Sequence, residues 1–198
     1  MKIVSPMEAA EALRAGKAAL VPTETVVGLV AAERGLDRIH EIKGRDPDKP
    51  VALLCSSSEE AFALAANVPP PAKRLAEAYW PGPLTLVLDR LAGGTVGVRV
   101  PAGPVVRAVL AAYGEPLYAT SANLAGKPPP KALSEVDPRV SESVELAVEG
   151  ESGSGEASAV VDLSGGRVRL LRATEELSEE TLARFAEGRP RQRSSGEV

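Results

Sequence analysis

Cysteine and histidine are almost missing from this 198-residue chain. The one cysteine, Cys55, excludes an internal disulfide and any cysteine-cluster metal site. It ends an apolar run and reads as a small buried hydrophobe. The one histidine, His40, excludes HExxH and other multi-histidine sites. Nothing around it suggests a Ser-His-Asp triad, and it is read as decorating a helix. Aromatic residues make up only 3%, so the core is expected to be Val, Leu and Ala. The platforms on which RNA bases stack are equally scarce. No apolar run approaches the roughly 18 residues of a spanning helix, and the N-terminus lacks the basic-then-apolar order of a signal peptide. A cytoplasmic protein with no membrane partner is expected. Walker-A, GxGxxG and GxSxG patterns are absent, so a bound nucleotide would have its phosphates held by scattered side chains. A net charge of −4 argues against a protein that is basic all over and holds nucleic acid by bulk attraction.

What is present suits one well-buried domain. Residues 1–187 are assigned to it, and 188–198, with arginines and no apolar residue before Val198, to a disordered tail. Ser5-Pro6-Met7-Glu8 has capping-box spacing with Pro at the first helical position, predicting a helix to about Ala15. Further helices are predicted over 36–43, from 56 to about 66, and over 72–79, 105–112 and 178–186. Strands are predicted over 18–21, 51–55, 84–88, 96–100, 117–119, 145–148, 159–162 and 168–171, the last two as a hairpin across Gly165-Gly166. Helices and strands alternate but some strands adjoin directly, so the fold class is α/β with a mixed sheet. The Gly/Ser/Glu stretch 149–157 reads as a mobile loop.

Four stretches suggest chemistry. The strand 18–21 stops at Pro22, and Thr23-Glu24-Thr25 follows, with Gly28 free to turn or approach closely. Open α/β sheets place ligands at such strand ends. Lys43, Arg45 and Lys49 surround Gly44 and could clamp phosphate, or simply complement a helix C-terminus. Ser121 and Asn123 face the same way if the chain is extended there. Arg99 lies in an apolar strand and requires an anionic partner, either a protein carboxylate or one of a ligand.

In order and separation, Pro22-Thr23-Glu24-Thr25-x-x-Gly28-Leu29, Lys43-Gly44-Arg45 with Lys49-Pro50, Trp80-Pro81-Gly82-Pro83-Leu84-Thr85, Val98-Arg99-Val100-Pro101 and Thr120-Ser121-Ala122-Asn123 resemble the YrdC/TsaC threonylcarbamoyl-adenylate synthase family. The resemblance runs from about Val4 to Arg172 and matches the short, single-domain type. It implies a twisted YrdC-like sheet with a large concave face. It also implies an enzyme, a nucleotidyltransferase that converts L-threonine, bicarbonate or CO2 and ATP, with Mg2+, into threonylcarbamoyl-AMP and pyrophosphate. The product would serve tRNA threonylcarbamoyladenosine modification, with downstream threonylcarbamoyl transferase proteins as partners and tRNA contact as an open possibility.

By the same resemblance Thr25, Arg99, Ser121 and Ser158 are threonine-site residues. Lys43, Arg45, Lys49, Thr95, Asn123 and Arg172 are ATP-site residues, and Lys43, Arg45, Ser121 and Asn123 form the catalytic set. No protein-held metal is expected. Arg99 is read as the partner of the threonine carboxylate. Departures from the family pattern are Val27 for Tyr, Leu54 for His, Ser158-Ala159 for a Ser-Thr pair, and Lys131 for Thr. Loss of the Tyr at position 27 is expected to take a ring and hydroxyl from the pocket wall. Two other readings stand beside the synthase: a paralogue of this fold with little synthase activity, and a non-catalytic tRNA- or double-stranded-RNA-binding protein.

Overall fold

The structure, a computed structural model, describes residues 1–44 and 51–188. Arg45 and Lys49 lie outside the described residues, as does the tail from 189 on. The strands are β1 (Lys2–Val4), β2 (Ala18–Pro22), β3 (Val27–Ala31), β4 (Ala52–Leu54), β5 (Leu84–Asp89), β6 (Thr95–Arg99), β7 (Leu117–Ser121), β8 (Leu146–Val148), β9 (Ala159–Asp162) and β10 (Arg169–Arg172). The helices are α1 (Pro6–Arg14), α2 (Leu36–Lys43), α3 (Ser58–Ala63), α4 (Pro70–Tyr79), α5 (Pro104–Tyr113), α6 (Pro138–Ser141) and α7 (Glu179–Ala186).

One mixed sheet runs β1-β8-β2-β3-β7-β4-β6-β5-β9-β10. Local chemistry explains its punctuation. Ser5 and Glu8 form a complete capping box at α1. Gly44 ends α2 at φ 56, a left-handed conformation that favours glycine. Ser178 caps α7 through the Thr181 N–H. The expected hairpin of β9 and β10 is antiparallel as read.

One face of the sheet is covered from end to end. α2 and α6 bury Leu20, Val27 and Leu29 there. Farther along, α3, α4 and α7 bury Leu84, Leu86, Leu88, Val98 and Val161. On the other face α1 and α5 cover Ala19, Val21 and Val30. Beyond them Thr85 and Val87 of β5 and Gly97 and Arg99 of β6 line a cavity in which no helix residue takes part. The period of two in a strand produces this division, with Leu84, Leu86 and Leu88 toward the core and Thr85 and Val87 toward the cavity.

Three expectations need correction. β1 was not predicted, because three residues, two of them exposed, carry no usable periodicity. β3 was not predicted either: the sequence reads as polar groups past a strand end, with Gly28 free to turn or approach closely. It pairs antiparallel with β2, and Gly28 lies opposite Val21 within the ladder. A Cβ on Gly28 would stand 3.4 Å from the Val21 carbonyl oxygen, about ordinary contact, so the glycine is a ladder position rather than a turn. Val27 is fully buried among the residues under α2 and α6, on the face away from the cavity. Its substitution therefore changes the core and leaves the pocket wall untouched.

Candidate functional site

The cavity measures about 340 Å3. Thr23 and Thr25, from the loop joining β2 to β3, form one wall. Thr23 closes the loop: its N–H donates to the Val26 carbonyl at 3.2 Å, and its hydroxyl lies 2.7 Å from the same oxygen. That hydroxyl also accepts from the Thr25 and Val26 N–H groups. Arg99 Nη2 can only donate, so the Thr25 hydroxyl accepts from it at 3.1 Å. The Thr25 proton then points to Thr23 Oγ1, 2.9 Å away.

The stretch 149–157, read from its composition as mobile, braces this loop. Gly153, Ser154 and Gly155 donate main-chain N–H groups to the carbonyls of Thr23, Glu24 and Thr25 at 3.0, 3.1 and 2.7 Å. Contact is so close that a Cβ on Gly153 would sit 1.8 Å from the Glu24 carbonyl oxygen. Glycine here permits backbone-to-backbone docking; composition alone cannot distinguish that from freedom.

Arg99 lies on the cavity wall but already has an anionic partner. Its Nη2 donates to Glu24 Oε1 at 2.6 Å and its Nε to the Gly82 carbonyl at 3.1 Å. Both side chains are largely buried, 9% and 19% exposed. Of the two anionic partners open to Arg99 in the sequence, a protein carboxylate is present: the requirement for an anion is met by Glu24. Glu24 Oε2 accepts from the Gly103 N–H at 3.0 Å, at the start of α5. Burial pushes the Glu24 carboxyl up. The charge of Arg99, the N–H donors of the main chain and the Arg99 hydrogen bond outweigh it, and the group stays below its usual range.

Across the cavity the Ser158 and Thr85 hydroxyls meet at 3.0 Å. Arg172 donates through Nε to the Ser158 carbonyl at 2.6 Å and through Nη2 to Ser158 Oγ at 3.4 Å. Desolvation, and then the nearby Arg99 charge, lower the Arg172 guanidinium below the usual arginine value. Two guanidinium groups therefore line one hollow, and only Arg99 has a carboxylate partner among the described residues. Ser121 also lines it.

Lys43 and Asn123 sit behind that wall. Lys43 is 6% exposed and donates to the Ser121 carbonyl at 2.6 Å and to Asn123 Oδ1 at 3.3 Å. Ser121 Oγ donates to the same Asn123 oxygen at 2.5 Å. The Ser121-x-Asn123 pair does converge as its spacing implies, but around a lysine. Lys43, read as a phosphate clamp, anchors the end of β7 through these bonds and does not line the cavity. Thr95 shares a strand face with Gly97 and Arg99 but is exposed at the far end of β6 and does not reach the cavity wall.

Sequence reasoning missed Thr85, Glu24 as the arginine's partner, and the brace at 153–155. The polar position in Leu84-Thr85-Leu86 was a readable signal; the other two depend on pairings distant along the chain. Cys55 is fully buried, as read, and burial pushes its thiol up to about 12, with Glu60 adding to the rise. His40 is buried on α2, and its Nδ1 has no partner among the described residues.

A family named Sua5_yciO_yrdC, described as telomere recombination, matches residues 11–174. The chain belongs to the Sua5/YciO/YrdC family. It is 38% identical over 177 residues to the threonylcarbamoyl-AMP synthase of Pyrococcus abyssi, covering 83% of this chain and 52% of that protein. It thus spans about half the length of that relative. A putative threonylcarbamoyl-AMP synthase of Mycobacterium tuberculosis is 32% identical over 190 residues, 87% of either chain. Among solved structures, P. abyssi Sua5 complexed with L-threonine superposes with TM-score 0.76 at 35% identity, covering 84% of this chain and 53% of that one. Escherichia coli YciO gives TM-score 0.76 at 25% identity, covering 84% and 87%. The Sua5/YciO/YrdC members thus share the mixed open sheet described above.

Proposed function

We propose that this chain is a threonylcarbamoyl-AMP synthase, a nucleotidyltransferase that makes threonylcarbamoyl-AMP and pyrophosphate from L-threonine, bicarbonate or CO2, and ATP. The observation that carries the reading is the cavity on the open half of the sheet. It brings Arg99, Arg172, Thr25, Ser121 and Ser158 together, in a chain related to proteins named for that synthase, one solved with L-threonine.

In this reading the threonine carboxylate accepts from Arg99 and from the Ser158 hydroxyl, while the Thr25 hydroxyl holds the Arg99 guanidinium. The threonine amine, as the free base, adds to CO2 with loss of a proton to solvent, or to bicarbonate with loss of water, to give a carbamate. A carbamate oxygen then attacks the α-phosphorus and pyrophosphate leaves. Arg172, with Arg45 and Lys49, neutralises phosphate charge. Lys43 and Asn123 hold Ser121 in place. No side chain stands out as general base, which suits chemistry run by positioning and charge neutralisation.

Among the described residues no group of three or more His, Cys, Asp or Glu could hold a metal, and Glu24 is committed to Arg99. In this reading Mg2+ arrives with the substrate as MgATP, bridging phosphate oxygens. The product is a mixed anhydride, suited to a transferase that carries the threonylcarbamoyl group to tRNA.

The test is pyrophosphate release from MgATP by the purified chain, with and without L-threonine and bicarbonate. Dependence on both is expected. Release that ignores threonine would overturn the proposal and favour a paralogue without synthase activity.

A further inference from the structure

The Glu24–Arg99 pair is more than a satisfied ion pair, because of what it leaves over. Arg99 spends Nε on Gly82 and Nη2 on Glu24 and Thr25. Among the described residues Nη1 has no protein acceptor, and it is not among the sealed-off polar atoms. Arg99 itself lines the cavity. Glu24 is fixed in turn on every side. Its second oxygen accepts from Gly103, and its carbonyl accepts from Ser154. A Cβ on Gly103 would stand 2.8 Å from the Glu24 N atom, so that backbone cannot shift toward α5.

Charge balance adds a second consequence. Arg172 bonds to the carbonyl and hydroxyl oxygens of Ser158 and has no carboxylate partner among the described residues. With Glu24 in place the cavity carries one net positive charge; without it, two.

We infer that Glu24 is the positioning residue of the site. It holds the Arg99 guanidinium so that Nη1 alone reads a substrate carboxylate at one fixed point, and it keeps the cavity from binding small inorganic anions. This rests on the synthase reading above. The chemistry selected is a monocarboxylate with a neutral neighbourhood, as in an α-amino acid, rather than a compact dianion that would seek both guanidinium groups.

The test is Glu24→Gln in the full chain, assayed by pyrophosphate release at saturating MgATP and bicarbonate while threonine is varied. Gln keeps the size and one acceptor for Arg99, but turns an amide donor toward the Gly103 N–H and removes the charge. The expected result is a fall in kcat of about tenfold or more, because threonine still binds but is misplaced. The KM for ATP should stay within about twofold. Sulfate should become an inhibitor competitive with threonine, several-fold stronger than in the wild type.

Loss of any carboxylate bonded to Arg99 would raise anion affinity, so the sulfate effect tests the charge claim, and the fall in kcat at unchanged KM for ATP tests positioning. Unchanged kcat, or unchanged sulfate inhibition in a cooperatively melting variant, overturns the inference. Should Glu24→Gln not fold, Glu24→Asp keeps the charge and shortens the reach. It should lose kcat while keeping wild-type sulfate sensitivity, and an unaltered kcat overturns the inference there as well. Failure of the functional reading looks different: wild-type release would ignore threonine. Calorimetric titration of wild type and Glu24→Gln with sulfate still decides the charge claim, equal affinities counting against it.

Discussion

The two halves of the sheet are built on different terms. In β2 and β3 every residue is buried and neither strand alternates: Ala-Ala-Leu-Val-Pro and Val-Gly-Leu-Val-Ala are enclosed by α1 and α5 on one face and by α2 and α6 on the other. In β5 and β6, Leu-Thr-Leu-Val-Leu-Asp and Thr-Val-Gly-Val-Arg alternate between helix-covered core and cavity. A strand covered twice stabilises the fold at every position. A strand covered once can place a hydroxyl, a bare backbone or a guanidinium at every second position without weakening the packing beneath. The site lies where α1 and α5 stop, and its loop, 23–26, springs from the doubly covered half. Rigidity comes from one half and chemistry from the other.

The largest effect should come from the ion pair that ties the halves together. Arg99→Leu strands the Glu24 carboxylate in a largely buried place and should cost about 3–5 kcal/mol in urea unfolding. A stability equal to wild type would mean that the pair is dispensable and that the halves are joined by packing alone. Next comes Leu29→Ala in β3, where a fully buried side chain is cut in a closed core; a loss of about 2–5 kcal/mol is expected.

The comparison is sharpest when one substitution is made in both halves. Val30→Thr places a hydroxyl in the sealed core under α1 and α5 and should cost about 1–3 kcal/mol. Val87→Thr turns the same hydroxyl toward the cavity and should cost less than about 0.5 kcal/mol. Equal losses would show that the open face is not solvated. Gly153→Ala, which drives a Cβ into the Glu24 carbonyl, should cost about 1–3 kcal/mol. It should also reduce threonine-dependent turnover by displacing the brace on the loop.

The smallest effect concerns pH. The Glu24 carboxyl is lowered in the folded protein, so the stability it contributes is present above its unfolded value, about 4.3, and is lost as pH falls through the lower folded value. Melting temperature against pH should therefore flatten at its acid end in Glu24→Gln. An unaltered acid limb would place the acid-sensitive group elsewhere.

What could be read from residues in order was whatever short-range chemistry determines. The capping box at Ser5, the glycine stop at Gly44, the alternation of β5 and β6, the burial of Cys55 and the five motifs all depend on neighbours within a few positions. They sufficed for a mixed α/β sheet and for the family; Thr25, Arg99, Ser121, Ser158 and Arg172, named only through the resemblance, line one cavity. β3 escaped because a glycine inside an apolar run looks the same as a glycine that turns the chain, and only pairing with β2 tells them apart.

Tertiary structure alone decided which charges meet. Glu24 and Arg99 are 75 residues apart and Lys43 and Ser121 78, and the strap at 153–155 reaches back to residues 23–25. Local sequence carries the demand of a buried arginine or lysine for a partner. It cannot carry the partner's identity, because that is set by which strands the sheet brings side by side. So the bonds of Lys43 to the end of β7 could not be read locally. Arg99, read as the partner of a ligand carboxylate, proved to be held by Glu24, with one donor group left for what enters the cavity.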